Sequence, residues 1–298
     1  MAEPSCGHTG VVSQRERTTR AERHPLLEPY LLAWGLEPDG DAFSTRSSVL
    51  APVLFEGAPA MLKVATVEEE AAGGRLMLWW DGRGCAQVYR HDGDALLLER
   101  AVNGRSLAEM SRAGRAGDQE AMRLLCETAV RLHAVPGRPA SGLTTLDVWF
   151  RALLGPLPPL DPFYGRAATV ARELLGGTGR NDAETGRETA VLHGDLHHGN
   201  VLDFGRDGWR AIDPKALFGD RAFDYANMLC NPDAPTALAP GRLEDRAALI
   251  EAVAGIRRDR MLRWAVAWGA LSSLWNVLDG REPGPALQVG RAAERLLA

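Results

Sequence analysis

The densest group of polar side chains able to do chemistry lies between residues 193 and 214. Asp195 and Asn200 stand in the segment HGDLHHGN, and Asp213 follows in the segment AIDP. Two carboxylates and an amide oxygen around one pocket are hard ligands, which suit Mg²⁺ when water and phosphate oxygens complete its shell. The pattern therefore favours a magnesium site over a site for a soft metal.

Short predicted strands position these residues. The stretch 190–214 indicates a strand, a loop over 193–199, and two further strands around an Asp207-Gly208 turn. From about residue 221 the chain is predicted to be mostly helical. The polar side chains are thus expected in a loop that leaves one short strand and enters another.

The first hundred residues have a different pattern. Apolar runs at 49–55 and 60–65, separated by EGAP, predict a β-hairpin. A helix is predicted over 67–80, although Gly73 and Gly74 weaken its centre, and strands follow over 85–91 and 95–101. After Asn103-Gly104 the spacing becomes helical, most clearly over 118–133.

Composition limits the classes of function. The chain has 298 residues, 45% of them hydrophobic, and a net charge of −5, so it lacks the basic excess of a general nucleic-acid binder. The apolar segment between Arg263 and Asp279 is too short to span a bilayer and predicts a buried helix. Four scattered cysteines and an N-terminus without an apolar leader core predict free thiols and a cytoplasmic protein.

The basic residues are unusual, because only Lys63 and Lys215 of the 34 are lysines. Coding bias explains most of this imbalance. A lysine in such a chain can nevertheless mark a place where the planar arginine fork would not serve. Lys63 is therefore a candidate site residue, and Lys215, close to Asp213, is expected at the rim of the site.

The sequence resembles the aminoglycoside phosphotransferase family, which shares the protein-kinase-like fold. His193, Asp195 and Asn200 match the kinase pattern H-x-D-x-x-x-x-N, and Asp213 corresponds to the D-F-G aspartate. The block 193–232 looks like the branch with streptomycin 6-kinases and hydroxyurea-type kinases. The resemblance covers about residues 45–280, and its N-terminal part includes MLKV with Lys63 and the following helix with Glu70.

The resemblance implies an α+β, bilobal fold with a small antiparallel-sheet N-lobe and a larger, mainly helical C-lobe. We expect a polar, flexible N-terminus over 1–23, a nucleotide-binding N-lobe over 24–101, and a catalytic and acceptor-binding C-lobe over 102–298. ATP would lie between the lobes.

The resemblance also implies roles for individual residues. Lys63, oriented by Glu70, would hold the ATP phosphates, and the interlobe hinge would bring Glu99 and Ala101 to the nucleotide. Asn200 and Asp213 would hold Mg²⁺. Asp195 would accept the proton of the acceptor hydroxyl, and His193 would support the catalytic loop by packing and hydrogen bonding.

The acceptor side is less well specified. Asp220, Trp275 and Asn276 are candidate substrate residues, although Asp220 also fits a helix cap or brace and Trp275 also fits core packing. The glycine-rich G-x-G-x-x-G pattern is missing, since the corresponding hairpin reads FSTRSSVL (43–50). The residues that bind the phosphates from this hairpin are therefore left open.

The function expected from the resemblance is transfer of a phosphoryl group from ATP to an aminoglycoside-type antibiotic, with streptomycin 6-phosphorylation favoured. A kinase of the same fold acting on hydroxyurea, a peptide antibiotic, or a sugar or amino-alcohol metabolite is the alternative. Outside this class stand a metallohydrolase built on HGDLHH and a non-catalytic kinase-like binding module. The expected partner is a small molecule, and the sequence leaves the oligomeric state open.

Overall fold

The structure is a computed structural model that describes residues 24–139, 141–157, 160–176 and 187–298. The predicted flexible N-terminus over 1–23 and most of the polar loop over 176–188 lie outside the described residues. Within the described residues, no helix is long and apolar enough to cross a membrane.

An antiparallel sheet and one long helix form the N-terminal lobe. Its elements are α1 (Glu28–Ala33), β1 (Glu37–Pro38), β2 (Phe43–Ser44), β3 (Ser48–Phe55), β4 (Ala58–Ala65), α2 (Glu68–Trp80), β5 (Val88–Asp92) and β6 (Ala95–Glu99). The strand order is β1-β3-β4-β6-β5, and β2 pairs with β3. The predicted β3–β4 hairpin is confirmed, because its alternating apolar side chains, such as Val53 and Leu62, are fully buried.

Helix α2 forms despite its two central glycines, and the packing explains why they are there. A Cβ atom on Gly73 would lie 2.1 Å from the carbonyl oxygen of Pro214, and one on Gly74 would lie 2.6 Å from a methyl group of Leu96. Bare backbone at Gly73 lets α2 contact the segment that carries Asp213, and bare backbone at Gly74 lets α2 pack on β6 within its own lobe. The glycines that weaken the helix prediction therefore allow close packing on both sides of α2.

Helices dominate the C-terminal lobe, as predicted. They are α3 (Leu107–Arg112), α4 (Arg115–His133), α5 (Leu146–Trp149), α6 (Arg151–Leu154), α7 (Pro162–Leu175), α8 (Asp224–Leu229), α9 (Ala234–Ala237), α10 (Arg242–Ala254), α11 (Arg258–Leu278) and α12 (Pro285–Leu297). Helix α11 packs against α7, α8 and α12. Most of its side chains are buried, which confirms the predicted buried helix.

Short strands carry the polar loop of the C-terminal lobe. They are β7 (Thr144–Thr145), β8 (Thr189–Leu192), β9 (Val201–Asp203), β10 (Trp209–Ala211) and β11 (Leu217–Asp220). The predicted β8 strand and the β9–β10 hairpin are confirmed. Strand β11 was not predicted; it pairs antiparallel with β8 and parallel with β7, so long-range pairing defines it. The architecture confirms the predicted α+β bilobal fold, whereas the domain boundary after residue 101 stays a prediction.

Candidate active site

A cavity of about 470 Å³ lies between the sheet of the N-terminal lobe and the polar loop of the C-terminal lobe. This volume falls within the range of about 300–1,000 Å³ typical of small-molecule sites. Polar residues that line it include Lys63, Glu70, Glu99, Asp195, Asn200, Asp213 and Lys215. The structure thus brings residues separated by more than 100 positions in the sequence into one cleft.

Asp195 lies in the loop between β8 and β9, and both of its carboxylate oxygens accept a hydrogen bond. The side-chain amide of Asn227 donates to Oδ1 at 2.8 Å, and that of Asn200 donates to Oδ2 at 3.3 Å. Burial, opposed by the charge of Lys215 and reinforced by that of Asp213, raises the pKa of Asp195 to about 7. The carboxylate is therefore held in one orientation, and its pKa suits proton transfer near neutral pH.

His193 supports this loop with both ring nitrogens. Its Nε2 contacts the carbonyl oxygen of Ile212 at 2.9 Å, and its Nδ1 accepts the backbone N–H of Asp195 at 3.2 Å. Burial lowers the pKa of His193, so the ring is neutral and donates through Nε2. The ring also stacks against Trp80. These contacts fit packing and hydrogen bonding, and they leave the ring no nitrogen for proton transfer with a substrate.

The backbone before Asp195 is fixed by a buried carboxylate, Asp224, at the start of α8. Its Oδ2 accepts the N–H of His193 at 2.9 Å, and its Oδ1 accepts the N–H of Gly194 at 2.7 Å. His133 of α4 contacts the same carboxylate at 2.8 Å. Burial opposes the ionisation of Asp224, but the bond from His133 helps to hold its pKa below its usual range.

Lys63 joins the two lobes through its ammonium group. The Nζ atom forms ion pairs with Glu70 of α2 and, at 2.5 Å, with Oδ1 of Asp213. Burial acts to lower the pKa of Lys63, but Asp213 and Glu70 raise it above its usual value. Lys63 is therefore charged and held at the centre of the cleft.

The hairpin turn between β2 and β3 is closed by side chains, because it has no glycine. The hydroxyl oxygen of Thr45 accepts the backbone N–H groups of Ser47 and Ser48 at 3.4 and 3.1 Å. The Ser47 hydroxyl donates to Oε2 of Glu70 at 2.9 Å. The backbone donors of Ser47 and Ser48 are thus occupied within the turn, whereas a glycine-rich loop directs such donors to phosphate.

The predicted hinge residues lie where β6 leaves the sheet, and both line the cavity. The carboxylate of Glu99 accepts a hydrogen bond from Arg210 at 2.5 Å, so this side chain braces β6 against β10. Ala101 follows two residues after the end of β6, outside any helix or strand, and it is half-buried.

Asn200 and Asp213 provide oxygen atoms that fit a magnesium ion. The Asn200 amide nitrogen donates to the backbone oxygen of Asp195 at 2.9 Å, which turns its amide oxygen away from Asp195. Asp213 has a left-handed backbone conformation, with φ +60°, and its half-buried carboxylate lines the cavity. One amide and one carboxylate oxygen are the few protein ligands that Mg²⁺ takes beside phosphate and water.

The three predicted substrate residues are not brought into this cleft. Asp220 is buried and braces the C-terminal lobe, because its carboxylate pairs with Arg260 at 2.6 Å and accepts the indole N–H of Trp264 at 2.5 Å. The Asn276 amide donates to the backbone oxygen of Pro283 at 3.3 Å. The alternative structural interpretation of Asp220 therefore describes its contacts, and a direct substrate role for Asn276 finds no support in its position.

Trp275 belongs to a tryptophan cluster beside the cleft. It packs edge-on against Trp149, with ring centres 5.4 Å apart, and against Trp268 at 5.7 Å. The Trp268 indole N–H donates to the side-chain oxygen of Asn227 at 3.2 Å, and Asn227 binds Asp195. Trp275 thus stands behind the site and fits the packing alternative.

The histidines of HGDLHHGN do not converge on a metal. His197 Nδ1 accepts the N–H of Gly199 at 2.9 Å, and His193 uses both of its nitrogens within the fold. Among the described residues, no group of three or more His, Cys, Asp or Glu side chains is arranged to hold a metal ion. The geometry therefore gives no support to the metallohydrolase alternative.

The sequence does not indicate the observed position of two residues of the site, Asn227 and Lys215. Asn227 was not singled out, and the only signal was its place on a helix that begins with Asp224. Lys215 was expected at the rim, but its side chain is only 11% exposed and pairs with Glu69 at 3.0 Å. Both lysines of the chain line the cavity, although the rarity of lysine singles out only Lys63 in the sequence.

Comparison with known proteins identifies relatives over almost the whole chain. Residues 33–280 match the family described as aminoglycoside/hydroxyurea antibiotic resistance kinase. The streptomycin 3''-kinase of Klebsiella pneumoniae is 45% identical over 273 residues, which cover 89% of this chain and 98% of that protein. The streptomycin 6-kinase of Streptomyces griseus is 33% identical, over 83% of this chain and 80% of that protein.

Solved structures show the same fold at low sequence identity. A thermostable mutant of aminoglycoside phosphotransferase APH(4)-Ia, in ternary complex with ADP and hygromycin B, gives a TM-score of 0.61 at 14% identity and covers 92% of this chain and 98% of that one. The choline kinase LicA from Streptococcus pneumoniae gives 0.60 at 14% identity, over 91% and 96% of the two chains.

Proposed function

The chain belongs to the aminoglycoside/hydroxyurea antibiotic resistance kinase family, and we propose that it transfers the γ-phosphoryl group of ATP to a hydroxyl group of streptomycin. The observation that carries the proposal is the 45% identity to a streptomycin 3''-kinase over nearly the full length of both proteins. The cleft described above supports it, because the groups that phosphoryl transfer needs converge there.

The 3''-hydroxyl of streptomycin is the acceptor position that the relatives favour. Identity to the streptomycin 6-kinases of Streptomyces griseus and Streptomyces glaucescens is 33% and 31%, well below the 45% to the 3''-kinase. The 6-hydroxyl, which the sequence analysis favoured, is therefore the second candidate position on the same drug.

The cleft offers ATP an apolar part and a charged part. Met61 and Leu98 lie opposite each other on β4 and β6 and line the cavity, as Ile212 does from the other lobe. We assign the adenine ring to this apolar part, next to the main chain at Ala101. Lys63, oriented by Glu70, would bind the phosphates near the α and β positions.

Asp195 would act as the base. The acceptor hydroxyl approaches its carboxylate, the new bond forms between the hydroxyl oxygen and the γ-phosphorus, and the bond from that phosphorus to the bridging oxygen of ADP breaks. The hydroxyl proton passes to Asp195, and ADP leaves with the electron pair. The bonds from Asn227 and Asn200 keep the carboxylate aimed during the step.

The amide oxygen of Asn200 and the carboxylate of Asp213 would hold Mg²⁺. When bound, the ion would supply positive charge that stabilises the phosphate oxygens. Asp213 also pairs with Lys63, so this one carboxylate would orient both cations.

Hydroxyurea is the second candidate substrate. The observation in its favour is a hydroxyurea phosphotransferase of Kitasatospora aureofaciens that is 35% identical over 90% of this chain. On this chain hydroxyurea would meet the same proposed donor and the same proposed base as streptomycin, so the acceptor pocket would decide between the two activities.

The test is a product analysis by mass spectrometry and NMR. Purified protein is incubated with Mg·ATP and, in separate reactions, with streptomycin, kanamycin, hygromycin, viomycin and hydroxyurea. We expect one added phosphoryl group on streptomycin, and phosphorus–proton correlation is expected to place it on the 3''-oxygen.

The Asp195→Asn variant is the matched control, because it retains the fold and loses the base. A product phosphorylated at the 6-oxygen would show that streptomycin is the substrate but that the proposed 3''-position is wrong. Phosphorylation of hydroxyurea alone would show that hydroxyurea, and not streptomycin, is the substrate. ATP binding without transfer to any of the five acceptors would overturn the proposed substrate class.

A further inference from the structure

The phosphate end of the cleft contains a second lysine that the assigned roles leave unused. Lys215 lies two residues after Asp213, and its side chain lines the same cavity as Lys63. These two residues are the only lysines of the chain, whose other 32 basic residues are arginines. The two compact ammonium groups of the protein thus meet in one cavity.

Contacts from both lobes hold Lys215 in place. Its backbone N–H donates to the carbonyl oxygen of His193 at 2.6 Å, so its main chain is attached to the catalytic loop. Its Nζ pairs with Glu69 of α2 at 3.0 Å. Neighbouring glutamates of one helix therefore hold the two lysines, Glu70 holding Lys63 and Glu69 holding Lys215.

The first side-chain atom of Lys215 packs against the catalytic loop. A Cβ atom on Gly194 would lie 3.0 Å from the Cβ of Lys215 and 2.7 Å from a methyl group of Leu217. The bare backbone of Gly194 thus lets the segment with Lys215 lie close to the catalytic loop. Lysine carries a compact point charge, which can approach a single phosphoryl oxygen there.

The position of Lys215 brings its charge to the proposed reacting groups. It lines the cavity together with Asp195, the proposed base, and Asp213. Lys63, by contrast, is already shared between Glu70 and Asp213. Lys215 pairs with one carboxylate, that of Glu69. It is therefore less neutralised than Lys63 and better able to bind a phosphoryl group.

The closed hairpin turn leaves a need for such a cation. The N–H groups of Ser47 and Ser48 bond to Thr45, and the Ser47 hydroxyl bonds to Glu70. A kinase glycine-rich loop covers the phosphates instead. Two backbone donors of the turn are therefore taken, and a cationic side chain that lines the cavity would supply the stabilisation of the triphosphate that they do not give.

We propose that Lys215 binds the γ-phosphoryl group of ATP, and that Lys63 binds the α- and β-phosphates. The proposal depends on the proposed kinase function for its nucleotide, but not on the identity of the acceptor. During transfer Lys215 would move only from Glu69 to the phosphoryl oxygens, and it would stabilise the negative charge on them.

Isothermal titration calorimetry with Mg·ADP and with Mg·AMPPNP, a non-hydrolysable ATP analogue, tests which lysine binds the γ-phosphoryl group. In Lys215→Met we expect the affinity for Mg·AMPPNP to fall by about tenfold to a hundredfold, the loss of one charge-assisted bond, with little change for Mg·ADP. In Lys63→Met both affinities are expected to fall. Arg75→Met is the control, because Arg75 pairs with Glu68 on the same helix in an exposed position.

Other patterns of nucleotide affinity would contradict the proposal for Lys215. Equal losses for both nucleotides in Lys215→Met, or no loss for either, would overturn the assignment of Lys215 to the γ-phosphoryl group. Lys215→Gln keeps a polar side chain of similar length and repeats the measurement if the methionine variant does not fold. Because no acceptor is present, failure of the streptomycin assay leaves this test intact, whereas wild-type protein that binds neither nucleotide would overturn both proposals.

Discussion

The two sides of the cleft are held by different forces. On the C-terminal side, hydrogen bonds from Asn227 and Asn200 and the bonds of Asp224 to the loop backbone fix Asp195. On the N-terminal side, ion pairs of Lys63 and Lys215 with carboxylates of α2 and Asp213 connect the lobes.

The difference separates two tasks. Hydrogen bonds within one lobe keep the base aimed whether or not nucleotide is present. Ion pairs between the lobes can be exchanged for the charges of phosphate and Mg²⁺, because both lysines line the cavity. Variants on the catalytic side should therefore lower kcat, and variants on the ion-pair side should also change nucleotide affinity.

The largest effect is expected for Asp213→Asn, which removes a carboxylate ligand for Mg²⁺ and a partner of Lys63. We expect kcat/KM for ATP to fall by on the order of 10³, with weaker Mg·ADP binding. Steady-state kinetics measures kcat/KM, and calorimetry measures the Mg·ADP affinity. Asp207→Asn, in the exposed turn between β9 and β10, is the control. An equal effect of the two variants would contradict the role of Asp213 in binding Mg²⁺ and Lys63.

The next effect is expected for Asn227→Leu on the opposite side. Loss of its hydrogen bond to the carboxylate of Asp195 should lower kcat by about tenfold to a hundredfold, while Mg·ADP affinity stays unchanged. Asn103→Leu, at an exposed position, is the control. If Asn227→Leu lowered the Mg·ADP affinity and left kcat unchanged, the catalytic side and the ion-pair side of the cleft would not have the separate roles proposed here.

The pH dependence gives a smaller effect that reports on Asp195 alone. The pKa of this carboxyl is raised to about 7, and only the ionised form can accept a proton. We therefore expect kcat/KM to rise about tenfold per pH unit below about 7 and to level off above it. A flat profile from acidic to neutral pH would argue against Asp195 as the base.

A matched pair of glycine substitutions tests how the lobes meet. Gly73→Ala places a methyl group against the Pro214 carbonyl and should destabilise the fold by about 1–3 kcal/mol. Gly165→Ala, in α7 with open space around it, should stabilise the fold by about 0.5–1 kcal/mol. Urea unfolding measures the change in the free energy of unfolding for each variant. A change of the same sign in both variants would contradict the close packing of α2 against Pro214.

The sequence predicts the catalytic side better than its supports. His193, Asp195, Asn200 and Asp213 lie within 21 consecutive residues, so their spacing alone indicates a common pocket. Asn227 and Glu69 reach that pocket only because α8 and α2 pack against it. Their roles arise from tertiary contacts, which spacing along the chain does not reveal.

Asp220 shows what sequence position alone leaves open. The sequence allows both a substrate role and a structural brace, and the contacts that describe the brace come from Arg260 and Trp264, which lie 40 and 44 residues further along the chain. Strand β11 is not predicted for a similar reason, because its four residues form a strand through pairing with β8 and β7, which are distant in the sequence. The helices and the β3–β4 hairpin were predicted because their periodicity is local.

The most direct test of the account is the single-turnover rate of phosphoryl transfer from Mg·ATP to streptomycin, measured by rapid quench for the wild-type protein and for Asp195→Asn. We expect the rate to fall by about 10²–10⁴ while Mg·ADP affinity is unchanged, because the variant loses only the base. A variant that transfers the phosphoryl group as fast as the wild-type protein would contradict it.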